Sequence, residues 1–350
     1  SKYDLVKIEK LSSMLRRGKT TKYGSSSIQV IKSGQARGYK SFDFKERFFA
    51  ADSYIADERN LQKNDILINT TGVGTAGRVT LFNLDGNYIV DSHITIFRVN
   101  DLVLPNYVIN YLTFIVGFKY LESLAKGASG QIELSLKTIQ EFKIPLPPLN
   151  IQQDIVAACE MVDEAVRAAQ NKLTTLNIEI QSLVSNLSQY PSVKMEGIAQ
   201  NWDNKRRPVT ASDRKLGSYP YYGASGVVDY VEEYLIDDTV LLISEDGANL
   251  KSRVTPIAFT ASGKIWVNNH AHILKFDNPN LHKLVELYLN QLDISEFITG
   301  MAQPKLSQMN LNRIKVPVPP LAVQVTLVAQ IEAIEAKIAE AQRIIDDAPA

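Results

Sequence analysis

The chain has 350 residues, 45% of them hydrophobic and 22% charged, and its 38 basic side chains are balanced by 38 acidic ones. That length calls for two or three domains, because single cores stop growing near ~250–300 residues. No apolar run approaches the ~18–20 residues that cross a bilayer, and one cysteine with four scattered histidines excludes a disulfide framework and a multi-cysteine metal site. The start has neither the basic head nor the apolar core of a signal peptide, so the expectation is a cytoplasmic protein with no membrane partner and no metal.

Charge is uneven along the chain. Residues 1–148 hold 20 Lys+Arg against 14 Asp+Glu, whereas 190–320 hold 14 of each. The segments 149–189 and 321–350 each hold 2 against 5, so acidic segments mask a basic first one.

In chain order, an opening strand around Val6 leads to Arg16-Arg17-Gly-Lys19-Thr-Thr-Lys22-Tyr23, a basic loop with one ring. Its cations suit phosphate neutralisation or bidentate pairing with guanine. Asp65-Ile-Leu-Ile-Asn69 and Ile94-Thr-Ile-Phe97 read as buried strands. Between them Gly72-Val-Gly74-Thr-Ala-Gly77 matches a dinucleotide fingerprint, which requires a helix to follow. Arg78-Val-Thr-Leu-Phe82 is strand-like instead, so a glycine-rich turn is expected, with Thr70, Thr71 and Arg78 beside it as DNA-contact candidates. His93 precedes the next strand and is expected to hydrogen-bond at the strand end. A helix is predicted over about 105–124, and the loop Gly127-Ala-Ser-Gly-Gln131 adds Ser129 and Gln131.

Then comes Phe142-Lys-Ile-Pro-Leu-Pro-Pro-Leu149, followed by Asn150 as a predicted N-cap with Gln153 completing a capping box. Apolar or small residues at Ile155, Cys159, Val162, Val166, Ala169, Leu173, Leu176, Ile180, Leu183 and Leu187 alternate by four and three, the seam of a coiled coil. A helix over about 151–188 would be ~57 Å long.

The second half repeats the first, which decides the architecture. Ile314-Lys-Val-Pro-Val-Pro-Pro-Leu321 echoes the earlier proline motif, Gln324 matches Gln152, and Leu327, Ile331, Ile334 and Ile338 renew the seam. Tyr190, Val193 and Lys194 match Tyr3, Val6 and Lys7, and His270 matches His93. Strands are predicted at Thr239-Val-Leu-Leu-Ile243 and His272-Ile-Leu-Lys-Phe276, and a helix over about 279–297. The corresponding contact candidates are Lys205, Arg206, Arg207, Tyr221, Tyr222, Lys251, Arg253, Gln303 and Lys305. The expected fold class is α+β: two mixed domains, 1–148 and 190–320, separated by two long antiparallel helices, 149–189 and 321–350, with pseudo-twofold symmetry.

Carried by 142–153 and 314–324, the pattern resembles the specificity subunit of type I restriction-modification systems, over nearly the whole chain. The resemblance implies a non-catalytic chain in which each domain reads half of a bipartite double-stranded target and the helices measure the spacer. It implies methyltransferase (modification) subunits as partners, which carry S-adenosylmethionine and methylate adenine, and restriction motor-nuclease subunits that complete the complex. No cofactor is implied for this chain. Two other readings remain open on the residues alone: the specificity portion of a fused restriction-modification enzyme, and a coiled-coil scaffold whose domains bind protein.

Overall fold

The computed structural model describes residues 2–127 and 132–348. The chain divides into two compact units, one running to Arg167 with Asp347 onward added, the other Ala168–Asp346.

In the first unit the opening strand Leu5–Lys7 pairs antiparallel with the proline-motif strand Lys143–Pro145, Val6 opposite Ile144. The domain is thus closed by its own two ends. Between them lies a four-stranded antiparallel sheet in the order Ser12–Arg17, Ile94–Val99, Ile66–Asn69, Val79–Leu81. Side chains alternate across a strand, and here both faces are covered. Ile66, Ile68 and Phe97 face a core with Tyr107, Val108, Leu112 and Ile139 of the helical side. Leu67, Ile94 and Ile96 face Ile31, Phe82 and Val90. Burial on both faces explains why these strands read as continuous apolar runs rather than alternating ones.

The second unit repeats the plan. Ser192–Lys194 pairs antiparallel with Lys315–Pro317, Val193 opposite Val316. The sheet order is Gln200–Asn201, Ala271–Lys275, Val240–Ser244, Ala258–Ala261. Leu241, Ile243 and Leu274 pack against the helix Pro279–Gln291 through Leu281, Val285 and Leu289. Val240, Leu242 and Ile273 pack against Ile265 and Val267.

The repeated glutamine has a repeated task. Buried Gln152 donates through Nε2 to the Pro147 and Leu102 carbonyls (2.8 and 3.2 Å) and accepts from the Leu104 amide at 2.8 Å. Gln324 donates to the Pro319 carbonyl at 2.7 Å and accepts from Asn278 Nδ2 at 2.8 Å. Leu104 and Asn278 each precede a helix that starts with proline. Each glutamine therefore ties the proline turn to the start of a neighbouring helix, satisfying buried backbone groups that the prolines cannot bond among themselves.

Three expectations are corrected. The long helix is Leu149–Ser185, so Asn150 lies inside it and the Pro148 carbonyl takes the first bond, from the Gln152 amide at 3.0 Å. The helix expected over 105–124 runs as Pro105–Asn110 into a wider turn Tyr111–Val116 and is then broken before Phe118–Ser123, where Gly117 takes φ 78°, a conformation open to glycine. The seam also has an end. In the second unit the long helix runs antiparallel to Leu321–Asp346: Lys172 meets Glu340 at 3.3 Å, while Val184 packs with Val328 and Ile331. Leu176, Ile331 and Ile334 are buried, and Leu173, Ile180, Leu327 and Ile338 are half-buried. Val166 is half-buried as well, but Ile155 and Val162, farther from the paired stretch, are exposed.

Thr95 gives a clean stability test. It lies at the sheet centre, fully buried, and its hydroxyl finds no partner. An unpaired buried hydroxyl costs stability, and valine keeps the shape without the oxygen. Thr95→Val is expected to raise the denaturant stability of the first unit by ~1 kcal/mol; a loss of that size would mean the hydroxyl is bonded.

Candidate nucleic-acid interface

In both units the same strand ends bring the predicted loops together. In the first, Arg17 ends its strand opposite Thr95, and Asn69 ends its strand opposite Ile94. The Thr70 amide and hydroxyl both donate to the His93 carbonyl (2.8 and 2.9 Å), and the Thr70 carbonyl accepts from the Leu134 amide at 2.8 Å. Thr71 Oγ1 and His93 Nδ1 share a hydrogen bond of 2.7 Å. Lys126 and Glu133 exchange backbone bonds of 2.9 and 2.8 Å, clamping the base of the loop between them. Ser129 and Gln131 lie in that loop, outside the described residues.

The second unit builds the same corner from different side chains. The Glu245 amide donates to the His270 carbonyl at 2.9 Å, and the Leu306 amide donates to the Glu245 carbonyl at 2.7 Å. His270 Nδ1 bonds the Asp246 carboxylate at 2.9 Å. Both histidines also have the amide held from two residues upstream, by Asp91 at 2.9 Å and by Asn268 at 2.8 Å.

The cations at this corner are not free. Arg16 is ion-paired with Glu58 and Arg17 with Glu133, and Lys19 Nζ sits 2.6 Å from Asp57. In the second unit Arg206 pairs with Glu245 and with Asp203, and Lys305 Nζ lies 3.0 Å from Glu245. His272, 1% exposed, reaches Asp203 Oδ2 at 2.6 Å through Nδ1 and the Leu306 carbonyl at 2.8 Å through Nε2. Both partners only accept, a pattern satisfied by an imidazole that donates from both nitrogens. Burial works against ionisation of Asp203 and Glu245. It is outweighed at Asp203 by His272, the Ile273 amide and Arg206, and at Glu245 by Arg206, Lys305 and His272, so both stay below the usual carboxylate range. Asp203, Glu245 and His272 have the donor types of a metal site, and the two carboxylates are already ion-paired with Arg206 and Lys305. The cluster is an ion-pair network.

Several sequence candidates are drawn out of reach. Thr70 is fully buried and Tyr221 is 1% exposed, its hydroxyl bonded to the Val209 amide at 3.0 Å. Arg206 is held inside the network, and Arg253 donates to the Leu289 and Leu292 carbonyls at 3.2 and 2.9 Å, closing a helix end. Tyr222 is half-buried, stacked on Phe259. Lys22, Arg207, Lys251 and Gln303 are exposed, and among the described residues their side chains have no ion pair or hydrogen bond. Lys205 lies over the Trp202 ring at 3.1 Å, and the exposed Tyr23 ring has Lys32 over it at 4.7 Å.

The glycine loop does not form a nucleotide cradle. Gly77, at φ 88°, lets the loop touch the helix Phe118–Ser123, where a Cβ would meet the Glu122 amide at 2.6 Å. The Gly74 amide donates to the Glu122 carboxylate at 2.6 Å, so an acid occupies the place a phosphate would take. A strand follows, not a helix.

The model of the type I restriction modification DNA specificity domain matches twice, at residues 13–177 and 188–347. The chain belongs to this family. A Haemophilus influenzae (strain Rd) protein named as a type I restriction enzyme specificity subunit is 35% identical over 147 residues, 42% of this chain and 37% of that protein. This chain therefore matches well under half the length of that curated relative. The fold is also that of the type I restriction-modification S subunit from M. genitalium, with TM-score 0.57 and 18% identity over 98% of this chain and 94% of the other. A structure described under complex assembly and conformational transition of the type I R-M system gives TM-score 0.59 and 17% identity, covering 99% and 97%. No helix among the described residues is long and apolar enough to cross a membrane.

Sequence reasoning missed the acids. Asp57, Glu58 and Glu133 carry no motif, and Asp203 precedes the basic run as an ordinary surface acid would. The one available signal was charge: a basic loop in a chain with no net charge needs acids somewhere.

Proposed function

We propose that this chain is the DNA-reading subunit of a type I restriction-modification complex, each unit reading one half of a split duplex target. The observation that carries the reading is the repetition, in a chain of this family, of one strand-end corner that keeps a histidine and an ion-paired arginine, His93 with Arg17 and His270 with Arg206, and changes the group bonded to the histidine from Thr71 to Asp246. A shared scaffold with divergent polar groups suits two readers of two sequences. The helix pair acts as the ruler for the unread spacer. Methyltransferase subunits bring S-adenosylmethionine and the adenine chemistry, motor-nuclease subunits complete the restriction complex, and this chain supplies neither a catalytic group nor a cofactor.

The test is selection of randomised duplex DNA by the chain with its methyltransferase subunits, followed by sequencing. Two short fixed motifs at a constant gap support the reading; retention without sequence preference, with the subunits associated, leaves a scaffold. The ruler has its own test. One heptad inserted in register into both helices adds ~10.5 Å at ~1.5 Å per residue, or about three base pairs at ~3.4 Å each. The selected gap is expected to lengthen by about that amount with both half-sites unchanged. Altered half-sites would refute the ruler.

A further inference from the structure

Arg37 and Arg78 stand apart from the other guanidinium groups near the first unit's corner. Arg16, Arg17 and Arg59 are ion-paired, whereas Arg37 and Arg78 make no ion pair among the described residues. They line one groove of about 370 Å³ with Tyr39, Thr113 and Phe118. Arg78 Nη2 donates to the Gly74 carbonyl at 2.7 Å, but its Nη1 is buried without a partner, and so is the Thr113 hydroxyl. The groove thus holds two polar groups taken from water and given nothing in return, a costly arrangement unless a ligand completes it.

The nearest acids are engaged elsewhere. Asp163 accepts from the Tyr39 hydroxyl and the Lys40 ammonium, both at 2.7 Å. Glu122 accepts from the Gly74 amide. Burial and then the Arg37 charge push the Arg78 guanidinium down from its ordinary value, with Glu122 opposing. An anion between the two arginines would offset that repulsion.

The strand that begins beside Arg78 is bonded to the strand that ends at the corner. The Asn69 amide donates to the Arg78 carbonyl at 2.9 Å and the Gly77 amide to the Asn69 carbonyl at 2.8 Å, one residue before Thr70. Resting on the DNA-reading proposal above, we infer that this groove seats one backbone phosphate of the bound duplex between Arg37, Arg78 and Thr113. Such a contact fixes the position of the first unit on the duplex and reads no base.

The experiment uses the chain with its methyltransferase subunits and the selected duplex. Arg37→Gln is the main variant, since Arg37 is exposed and makes only a 3.4 Å bond to the Gly34 carbonyl. Arg78→Gln is the second, read only if its thermal unfolding matches wild type. Each is expected to weaken binding to target and unrelated duplex alike by about five- to tenfold at 0.1 M salt, and to reduce the salt slope by ~0.9. The selected sequence should not change. Single methylphosphonate substitutions along the duplex then locate the seat: at one phosphate, neutralisation weakens wild type and has no further effect on Arg37→Gln. Unchanged affinity of Arg37→Gln overturns the inference, as does a loss shared by every phosphate with none silenced. If inorganic phosphate shifts the Gly38 and Gly77 amide resonances while Arg37→Gln binds duplex normally, the groove is a free-anion site and the assignment to DNA falls. A wild-type complex that selects no duplex would instead remove the functional reading on which the inference rests.

Discussion

Replacing His272 by leucine is expected to destabilise the second unit by ~1–3 kcal/mol, the cost of leaving a buried acceptor without its donor. The ring is 1% exposed and stands between Asp203, 7% exposed, and the Leu306 carbonyl. Leucine fills the space but donates nothing. Asp203 would keep Arg206 at 3.3 Å and the Ile273 amide at 2.8 Å, and lose its shortest bond. The Leu306 carbonyl would lose its side-chain donor, and with it the loop carrying Gln303 and Lys305 loses an anchor. Hydrogen exchange resolved by unit is the measurement, with the first unit as internal control. The same network sets a pH dependence. Asp203 and Glu245 are both held below their ordinary values, so their contribution is present at neutral pH and is lost as pH falls through those depressed values. Wild type should therefore lose second-unit protection on acidification more steeply than the leucine variant. Equal acid sensitivity, or a loss below ~1 kcal/mol, would show that the histidine is not a charged partner.

That network also marks how far the sequence could be read. The paired proline motifs and strands such as Val240–Ser244 were legible because local spacing determines them: apolar runs make strands buried on both faces, and two prolines followed by a seam make a helix start. The matching glutamines were visible as a repeat, though their bonds to proline carbonyls were not. Partners brought by chain closure left no local trace. Glu58 lies 42 residues from Arg16, and Glu133 lies 116 from Arg17. Tyr221 and Tyr222 read as DNA-contact candidates, yet the strand Leu216–Gly223 turns Tyr221 inward beside Trp266 and leaves Tyr222 half-buried. The position of His272 corresponds to Thr95 in the first unit, so one buried site at the sheet centre holds an orphaned hydroxyl in one copy and a charged cluster in the other. A repeat fixes where such positions fall and says nothing of what fills them.

The acids of the first unit lead to the second large effect. Arg16–Glu58 and Lys19–Asp57 are largely exposed pairs, and such pairs contribute ~0–1 kcal/mol to stability. Their removal should leave the fold intact. Their consequence for binding is larger, because a cation held by a carboxylate is not available to a phosphate until that carboxylate is displaced. In the Asp57→Asn, Glu58→Gln double variant, Arg16 and Lys19 lose their acidic partners, and Arg59 loses Asp57, which it meets at 2.5 Å. Each freed cation that reaches a phosphate is expected to raise affinity for unrelated duplex about tenfold at 0.1 M salt and to steepen the salt slope by ~0.9. Two such cations give about a hundredfold. Affinity for the target should rise at least as much, since the free chain no longer holds these cations on acids and no complex has to break those pairs. The acids therefore lower phosphate affinity in every complex. Titration against target and unrelated duplexes over a range of salt measures both slopes. If both match wild type with the fold intact, Arg16 and Lys19 do not meet DNA even when released, and the strand end that carries them lies outside the interface.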